Sequence, residues 1–300
     1  MKIRDLGSAA CGGFPQWNCG CANCKGARSG DPRFRARTQE SVAISADGSA
    51  WFLINVSPEI RAQIEACDAL WPRSERHSPI AGLLLTNGDL DHCLGLLSLR
   101  ESHPLVVYAT DAVRAGFTTN NVLYRTLERF PGQLSWRQLS PGRAVELSGS
   151  TLSVTTVAVP GKLPLHLESS CTPSPDDNIG LVIRDGRSGG SIGYFSGVAA
   201  ASPELERAAA GCDVVFFDGT FWSSDELIAA GLGTRRAEDM AHWPIGGRDG
   251  SLAFVSRLPG RKLYIHVNNT NPILREDSQE LRTVKSAGVD VAFDGMELEL

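Results

Sequence analysis

Three apolar segments of the chain each run into side chains that can bind a metal ion. The segments span residues 80–85, 213–217 and 262–265, and each is typical of a buried strand. The side chains that follow them are Asp91, His92, Asp218 and His266. In open α/β sheets ligands bind at the carboxyl ends of the strands, so three such ends can meet in one cleft. The three strand ends together favour a metal site, and a set rich in carboxylates with few imidazoles shifts the preference from zinc toward harder ions or iron(II).

The loop that carries the first of these side chains has a second interpretation. Residues 86–92 read Thr-Asn-Gly-Asp-Leu-Asp-His, and this pattern is also typical of a surface turn ahead of a helix. Taken alone, the sequence of this loop does not decide between a metal-ligand loop and a surface turn. The two later strand ends favour the metal site, because each repeats the pattern of an apolar strand followed at once by polar residues.

Three of the eight cysteines lie close together in the sequence. Cys19, Cys21 and Cys24 form a C-x-C-x-x-C cluster in a segment rich in Gly, Pro and Asn, whose flexible backbone can wrap three thiolates around one tetrahedral ion. We expect a structural zinc, and a redox-active or incidental thiol cluster is the alternative. The fourth ligand is not evident. A further cysteine, Cys11, lies in a glycine-rich loop, where its thiol could approach the active cleft.

One more histidine stands between the second and third strand ends. With an ordinary pKa of about 6.5, His242 could exchange a proton with a phenol or an oxygen species, which makes it a candidate general acid or base. A capping or packing histidine at a helix end is the alternative. Two other histidines are less informative: His103 precedes a strand and is expected at the surface, and the pattern does not locate His166.

Composition excludes several classes of function. The 300 residues carry a formal net charge of −5, and no run of Lys and Arg is interleaved with aromatic residues, so nucleic acid is a poor partner. Residues 1–6 carry charges where a signal peptide would be apolar, and no uninterrupted apolar stretch reaches the roughly twenty residues that span a bilayer. We therefore expect a cytoplasmic protein without a membrane span, whose cysteines are thiols or metal ligands rather than disulfides.

The order of the apolar segments predicts a layered α/β fold. Besides the three segments above, the strand candidates are residues 2–6, 41–45, 51–55, 104–109, 134–139, 151–159, 179–184 and 191–195. A helix is predicted to begin with Ser57 as its N-cap and Pro58 in the first helical position. Further helix candidates are residues 111–129, 202–210 and 276–286. Because the second half repeats the first in outline, we predict an αββα sandwich formed by a single domain, residues 1–300, with the metal cleft along the seam between its sheets.

Short motifs give the chain, from end to end, a resemblance to a known family. They lie at residues 6–10, 15–19, 85–86 with 91–92, 159–162, 217–220, around 240–242, and 266–272. In these motifs the chain resembles the coenzyme PQQ (pyrroloquinoline quinone) synthesis protein B family of the metallo-β-lactamase superfamily. The resemblance implies the αββα metallo-β-lactamase-like fold that the order of segments also favours.

The resemblance also implies that one of two metal subsites has been lost. In the superfamily the first loop reads His-x-His-x-Asp-His and holds two ions, whereas Asn87 and Asp89 stand here at the positions of the first two histidines. A dinuclear zinc hydrolase is correspondingly disfavoured, and Asp89 becomes a candidate catalytic carboxylate. The second subsite keeps all its ligands, namely Asp91, His92, the bridging Asp218 and His266.

Two further positions can be interpreted by comparison with related families. The phosphoribosyl cyclic phosphodiesterases share the C-x-C-x-x-C cluster and complete the zinc tetrahedron with a histidine three positions after the last active-site histidine. Here that position is Asn269, which is a weak zinc ligand. The fourth ligand could instead be another side chain, a backbone atom or water, or the ion could be held by three sulfurs alone. His242 falls where the transfer-RNA 3′-processing ribonucleases carry a histidine beside the metal ligands.

The function that the resemblance implies is a step in PQQ biosynthesis. The expected activity is that of an iron(II)-dependent hydroxylase, which uses dioxygen to oxidise the tyrosine ring of the cross-linked Glu-Tyr unit of the precursor, a dipeptide-like small molecule. Zinc or another divalent ion could occupy this site in the protein as purified. A carrier that holds PQQ or its precursor and aids its transport to the periplasm, and a metal-dependent hydrolase, are the alternatives. The oligomeric state is left open, with a homodimer as one arrangement.

Overall fold

Two β-sheets of seven strands each form the centre of the molecule. The computed structural model describes residues 1–300. In chain order the strands are β1 (Lys2–Gly7), β2 (Ser41–Ser45), β3 (Trp51–Ile54), β4 (Ile80–Leu84), β5 (Leu105–Ala109), β6 (Leu134–Gln138), β7 (Ala144–Glu146), β8 (Leu152–Ala158), β9 (Ile179–Asp185), β10 (Ser191–Phe195), β11 (Val214–Asp218), β12 (Arg261–Ile265), β13 (Asp290–Val291) and β14 (Glu297–Glu299). The first sheet has the order β14-β1-β2-β3-β4-β5-β6, and the second has the order β13-β12-β11-β10-β9-β8-β7.

The strand pairing brings the carboxyl ends of several strands to one edge of each sheet. In the first sheet β3 to β6 are parallel, and in the second β10 to β13 are parallel. The carboxyl ends of these strands therefore lie together. Strand β2 is antiparallel to β3, so the amino-terminal end of β2 lies at the same edge as the carboxyl ends of β3 and β4.

The main core lies between the two sheets. Successive side chains of a strand point to opposite faces, so every second residue of the central strands enters this core. Residues from both sheets meet there, including Ile44, Phe52, Ile54, Ile183, Phe216 and Leu263. The residues between them form a second apolar layer on each outer face, such as Leu53 on the first sheet and Val215 on the second. Burying one such side chain stabilises the fold by roughly 1.5–3 kcal/mol, so these outer layers need a cover.

Short helices provide that cover. In chain order they are α1 (Ala22–Arg28), α2 (Ile60–Ala66), α3 (Leu90–Cys93), α4 (Asp111–Thr118), α5 (Pro203–Ala210), α6 (Glu226–Ala229), α7 (Ser251–Val255) and α8 (Gln279–Ser286). Apolar residues of α2 and α4 pack on the first sheet, and those of α5, α7 and α8 pack on the second. The layers therefore follow the order αββα, and the predicted fold class is confirmed. None of these helices is long and apolar enough to cross a membrane.

The predicted strands agree with the structure to within one residue at each end. Strands β7, β13 and β14 are not predicted, because two or three residues are too few to show an alternating pattern. The predicted N-cap at Ser57 is wrong: α2 begins only at Ile60, with no side-chain cap, and the Ser57 hydroxyl has no hydrogen-bond partner. The predicted helix over 111–129 is also interrupted, since α4 ends at Thr118 and a 3-10 turn follows at Val122–Thr126.

Candidate metal centre

The edge where the strand ends meet carries the four predicted metal ligands. Asp218 is the last residue of β11, and His266 directly follows the adjacent parallel strand β12. Asp91 and His92 lie in α3, the single helical turn after β4. The carbonyl oxygen of His92 accepts a hydrogen bond from the backbone nitrogen of Val56 (2.7 Å), which fixes α3 against the end of β3.

Two residues at this edge have a left-handed backbone. Asn55, which follows β3, has a φ of 58°, and His266 has a φ of 59°. For a residue other than glycine this conformation costs on the order of 1 kcal/mol or more and is found most often at functional sites. In both cases the strand stops at the strained residue and its side chain lies inside the buried edge.

Asp91, His92 and His266 form a contiguous buried group. The Nε2 atom of His266 lies 3.2 Å from Asp91 Oδ2, and the Nε2 atom of His92 lies 3.8 Å from the same oxygen. The two imidazole rings meet edge to face, with their centroids 5.2 Å apart. The structure therefore brings these three predicted ligands together, with both Nε2 atoms directed at one carboxylate.

A hydrogen-bond network from the first sheet orients His92. The Thr86 hydroxyl donates to Asn55 Oδ1 (3.0 Å), and its oxygen lies 3.1 Å from His92 Nδ1. Asn55 Nδ2 also lies 3.2 Å from His92 Nδ1 but donates to Glu40 Oε1 (2.8 Å), and the Thr86 proton is already used, so the Thr86 hydroxyl oxygen can accept the Nδ1 proton of His92. This tautomer leaves Nε2 of His92 unprotonated, as a metal ligand requires.

The second sheet orients His266 in the same way. Both Thr220 groups, the backbone nitrogen (3.0 Å) and the hydroxyl (2.6 Å), donate to Asp218 Oδ1. The Thr220 oxygen lies 2.7 Å from His266 Nδ1 and can accept its proton, so Nε2, which faces Asp91 Oδ2 at 3.2 Å, is the atom that would exchange its proton for a metal ion. The other oxygen of Asp218 accepts from Val198 N (2.8 Å) and lies 2.7 Å from His242 Nδ1.

In this arrangement the contacts of Asp218 are all with protein groups, and its role as a bridging metal ligand stays a prediction. Asp218, His242 and His266 nevertheless offer donor atoms within 4.8 Å of one another, which is close enough to hold one ion. The His242 ring stacks on that of His266 with centroids 5.3 Å apart, and 15% of its side chain is exposed toward the cleft.

The charges at this edge favour a cation. Burial lowers the pKa of His266, but the carboxylates of Glu40, Asp91 and Asp218 outweigh this effect and raise it to about 9. Burial raises the pKa of Asp91, yet His92 and His266 hold it well below its usual range. The pKa of Asp218 falls to about 2, because His242 and His266 outweigh the effect of burial. The carboxylates are therefore ionised, and they stabilise positive charge where the imidazoles meet.

Sequence reasoning missed one carboxylate of this group. Glu40 is fully buried, and its Oε1 lies 3.9 Å from His92 Nε2. Together with His92 and His266 it forms a second set of donors within 4.8 Å of one another. The residue precedes β2 rather than following a strand, so a search of carboxyl ends does not find it. The signal available was an acid at the start of an antiparallel strand, whose amino end shares this edge.

The remaining predicted positions lie toward the mouth of the cleft or away from it. Asp89 is partly exposed and faces Lys162, with 3.9 Å between Oδ1 and Nζ. The Asn87 side chain accepts from Asp89 N (2.9 Å) and donates to Asn178 (3.3 Å), which links the loops of the two sheets. Partial burial and the charges of Asp91 and Asp89 raise the pKa of Cys11 to about 11. His166 is exposed.

The three clustered thiols also come together. The Sγ atoms of Cys19, Cys21 and Cys24 lie within 4.8 Å of one another and could hold an ion. The predicted flexible loop is only partly present, because Cys21 is the N-cap of α1 and Cys24 lies in its first turn. The side-chain amide of Asn269 faces all three sulfurs, with Nδ2 at 3.2, 3.7 and 3.3 Å. This amide therefore stands where a fourth ligand would stand.

Both clusters fit a metal ion by the chemistry of their donors. Three thiolates suit zinc in a structural site. Imidazoles with carboxylates suit iron(II), manganese or zinc, and with two imidazoles and one carboxylate the set resembles that of non-haem iron oxygenases. The buried carboxylates beside His266 lack a lysine or arginine partner within 4.0 Å, so an ion would supply the balancing charge.

Comparison with known proteins identifies the family. A family model described as the beta-lactamase superfamily domain matches residues 50–267. The coenzyme PQQ synthesis protein B of Azotobacter vinelandii (strain DJ / ATCC BAA-1303) is 43% identical over 302 residues, which cover 100% of both chains. The crystal structure of Zn(2+)-bound PqqB from Methylobacterium extorquens superimposes with a TM-score of 0.94 at 42% identity, again over 100% of both chains.

A more distant structure shares the fold alone. A diphosphatase of the PhnP family matches with a TM-score of 0.69 at 22% identity, over 100% of this chain and 97% of that one. The full-length matches at more than 40% identity are far more specific. The chain therefore belongs to the coenzyme PQQ synthesis protein B family of the metallo-β-lactamase superfamily.

Proposed function

We propose that the protein is an iron-dependent hydroxylase of PQQ biosynthesis. The observation that carries the proposal is the pair of imidazoles whose Nε2 atoms converge on Asp91, 3.2 Å away for His266 and 3.8 Å away for His92. The names of the full-length relatives, coenzyme PQQ synthesis protein B, support a role in making PQQ. The lack of histidines at positions 87 and 89 speaks against a dinuclear hydrolase.

The ligands of one iron(II) would be Asp91, His92, Asp218 and His266. The chemistry that iron(II) supplies in such a set is the activation of dioxygen at open coordination positions. Thr86 and Thr220 act as positioning residues, because each accepts a ring proton of one histidine and so fixes its tautomer. This fixed orientation keeps both ligand atoms directed at the same point.

His242 is suited to move the proton of a phenol. Asp218 lies 2.7 Å from His242 Nδ1 and can hold the proton there, so Nε2 is free to accept another. The exposed part of the ring lies beside His266, which places the base next to the ligands rather than among them. A base so positioned accelerates a reaction by roughly a hundredfold to ten-thousandfold.

Substrate carboxylates are expected to meet Lys162 at the mouth of the cleft. Lys162 faces Asp89 with 3.9 Å between charged atoms, and about a quarter of the lysine side chain is exposed (25%). A carboxylate of a Glu-Tyr unit could bind the ammonium group of Lys162, while Asp89 would repel a carboxylate placed wrongly. Asp89 thus orients the substrate in this proposal.

The thiol cluster is proposed to hold a structural zinc. Nitrogen and oxygen of a side-chain amide exchange places by a half-turn, so Asn269 could direct its oxygen at the ion as the fourth ligand. The neighbouring Asn23 donates to the backbone oxygens of Asn269 (3.1 Å) and Asn271 (3.0 Å), which ties this loop to α1.

Anaerobic loading with iron(II), followed by mixing with dioxygen, a cross-linked Glu-Tyr substrate and ascorbate, tests the proposal, with ascorbate supplying the two electrons that reduce the second oxygen atom to water. The expected results are consumption of dioxygen and a product heavier by one oxygen atom. Omission of the substrate is the control for uncoupled oxidation of iron. Tight binding of PQQ without dioxygen consumption would replace the hydroxylase with a carrier.

A further inference from the structure

Glu40 is a buried carboxylate whose two oxygens have unequal surroundings. Oε1 accepts hydrogen bonds from Asn55 Nδ2 (2.8 Å) and from the hydroxyl of Tyr194. Oε2 is buried but has no hydrogen-bond donor. A buried polar atom without a partner costs about 1–3 kcal/mol, and more when it is charged. Oε2 therefore needs a partner that the protein does not provide.

The charge of Glu40 is also unbalanced. The chargeable group within 4.0 Å of it is His92, at 3.9 Å. Arg37 is a buried cation in the same half of the molecule, but its guanidinium donates to Ser8 Oγ (3.2 Å) and to the carbonyl oxygen of Ala292. A carboxylate held in the interior is stable only when it is paired or binds a metal.

The position of Glu40 matches that of a metal ligand. Its carboxylate and the ring nitrogens of His92 and His266 lie within 4.8 Å of one another. Ligands on opposite sides of an ion with bonds of about 2.0–2.2 Å lie roughly 4 Å apart, so a small movement of the side chains would close the shell. The three groups come from the start of β2, from α3 and from the end of β12, so no local turn explains their meeting.

Other buried carboxylates nearby differ in this respect. Both oxygens of Asp218 accept hydrogen bonds. Both oxygens of Glu226 do so as well, one from Trp222 N (2.6 Å) and the other from the Thr270 hydroxyl. Asp5 has two unpartnered oxygens but belongs to no group of metal donors. Glu40 alone combines an unpartnered oxygen with membership of a group of metal donors that includes two imidazoles.

We propose that Glu40 is a direct ligand of the ion that His92 and His266 bind. The ion would then be held by two imidazoles and by the carboxylates of Asp91 and Glu40 from the inner side of the cleft. Asp218 would keep its place among the ligands proposed above and would also hold His242 and, through Thr220, His266 in position. This inference rests on the metal centre proposed above and adds a ligand that neither the strand-end pattern nor the family resemblance assigns.

Manganese(II) binding to Glu40→Gln tests the inference. Glutamine preserves the side-chain shape and an oxygen that can accept from Asn55 and Tyr194, but it removes the charge. The protein is first loaded with one equivalent of zinc and then titrated with manganese(II), and free manganese is measured by electron paramagnetic resonance. Because manganese prefers oxygen and nitrogen ligands over thiolates, the titration reports on the buried cluster. We expect Glu40→Gln to bind manganese at least about tenfold more weakly than the unmodified protein, as even losses outside the ligand set do.

Glu226→Gln is the matched control, because it also neutralises a buried carboxylate but leaves all proposed ligands in place. It should bind manganese like the unmodified protein. Equal affinity of Glu40→Gln and the unmodified protein would overturn the role of Glu40 while the metal centre stands. Absence of manganese binding by the unmodified protein would instead overturn the metal centre.

Diffraction from crystals of the unmodified protein soaked in manganese(II) makes the test independent of whether the variant folds. The anomalous peak should lie within about 2.5 Å of a Glu40 oxygen, the upper range for a bond between a hard cation and oxygen. A peak bonded to His92 and His266 but more than about 3.5 Å from both Glu40 oxygens would refute the inference.

Discussion

The two candidate metal sites differ in how their ligands are distributed along the chain. The candidate ligands of the thiol cluster lie within residues 19–24, in one loop and the first turn of α1. The candidate ligands of the buried cluster extend from Glu40 to His266 and come from both sheets. The first site therefore depends on local chain geometry, whereas the second forms only when the two sheets are packed together.

One loop nevertheless belongs to both sites. His266 is a candidate ligand in the buried cluster, and Asn269, three positions later, faces the three sulfurs. Asn23 of α1 donates two hydrogen bonds to the backbone of this loop. The local site thus secures the segment that the long-range site needs, and we expect the dependence between them to run mainly in that direction.

Removal of a buried ligand should have the largest effect. His266→Ala and Asp91→Ala should each lower iron(II) affinity at least about tenfold and abolish measurable turnover, because an imidazole or a carboxylate of the ion is lost. Zinc content should stay unchanged, since the thiols do not depend on iron. Metal analysis and oxygen consumption measure both effects, with His103→Ala as a control at a histidine outside the cluster. Wild-type turnover by His266→Ala would contradict the assignment.

Removal of a thiol should act on stability first. Cys21→Ser should lose close to one equivalent of zinc and at least about 3 kcal/mol of unfolding free energy, because structural zinc binding is itself folding free energy. Iron affinity should fall as well, since the loop of His266 loses its support. Cys171→Ser, at an exposed thiol outside the cluster, is the matched control. A variant that keeps its zinc and its melting temperature would refute the structural site.

Loss of the proposed base should separate chemistry from metal binding. His242→Ala should retain iron but slow the oxidation by a factor on the order of a hundred, because the imidazole proposed to take the phenol proton is lost. Single-turnover rates over a range of pH, together with iron content, check this expectation. His166→Ala, at an exposed histidine, should leave the rate unchanged. An unaltered rate in His242→Ala would leave this histidine as a packing residue.

A smaller effect is expected from Glu226, a buried carboxylate outside both sites. Burial raises its pKa from 4.5 to about 7, so the folded protein binds its proton more tightly than the unfolded chain does. Its stabilising contribution is fully present below about pH 4.5 and is lost as the pH rises through about 7, a change on the order of 1–3 kcal/mol. Glu226→Gln should flatten this part of the curve of unfolding free energy against pH. An unchanged slope would show that the residue ionises normally in the fold.

The regularities of the chain made most of the fold predictable. Strands such as β11, in which five consecutive residues are buried, stand out as apolar runs, and their polar ends indicate the site edge. Short edge strands lack this signal, and the start of α2 was misplaced because a turn, rather than a cap at Ser57, precedes it.

The candidate site was predictable only where its residues follow strands. Asp91, His92 and His266 could be named in advance because strand ends of parallel neighbours meet at one edge, and the structure brings them together. Glu40 could not, because its position depends on the antiparallel pairing of β2 with β3. Thr220 owes its role to a hydrogen bond across the loop to His266, which no spacing of residue types reveals.

We propose that two chemically different sites of this protein hold two different metals. Diffraction from anaerobically grown crystals of active protein, recorded at the absorption edges of iron and zinc, tests it most directly. We predict an iron peak among Asp91, His92 and His266 and a zinc peak among Cys19, Cys21 and Cys24. Zinc alone at both positions in protein that oxidises the substrate, or an iron peak at the thiols, would contradict the claim.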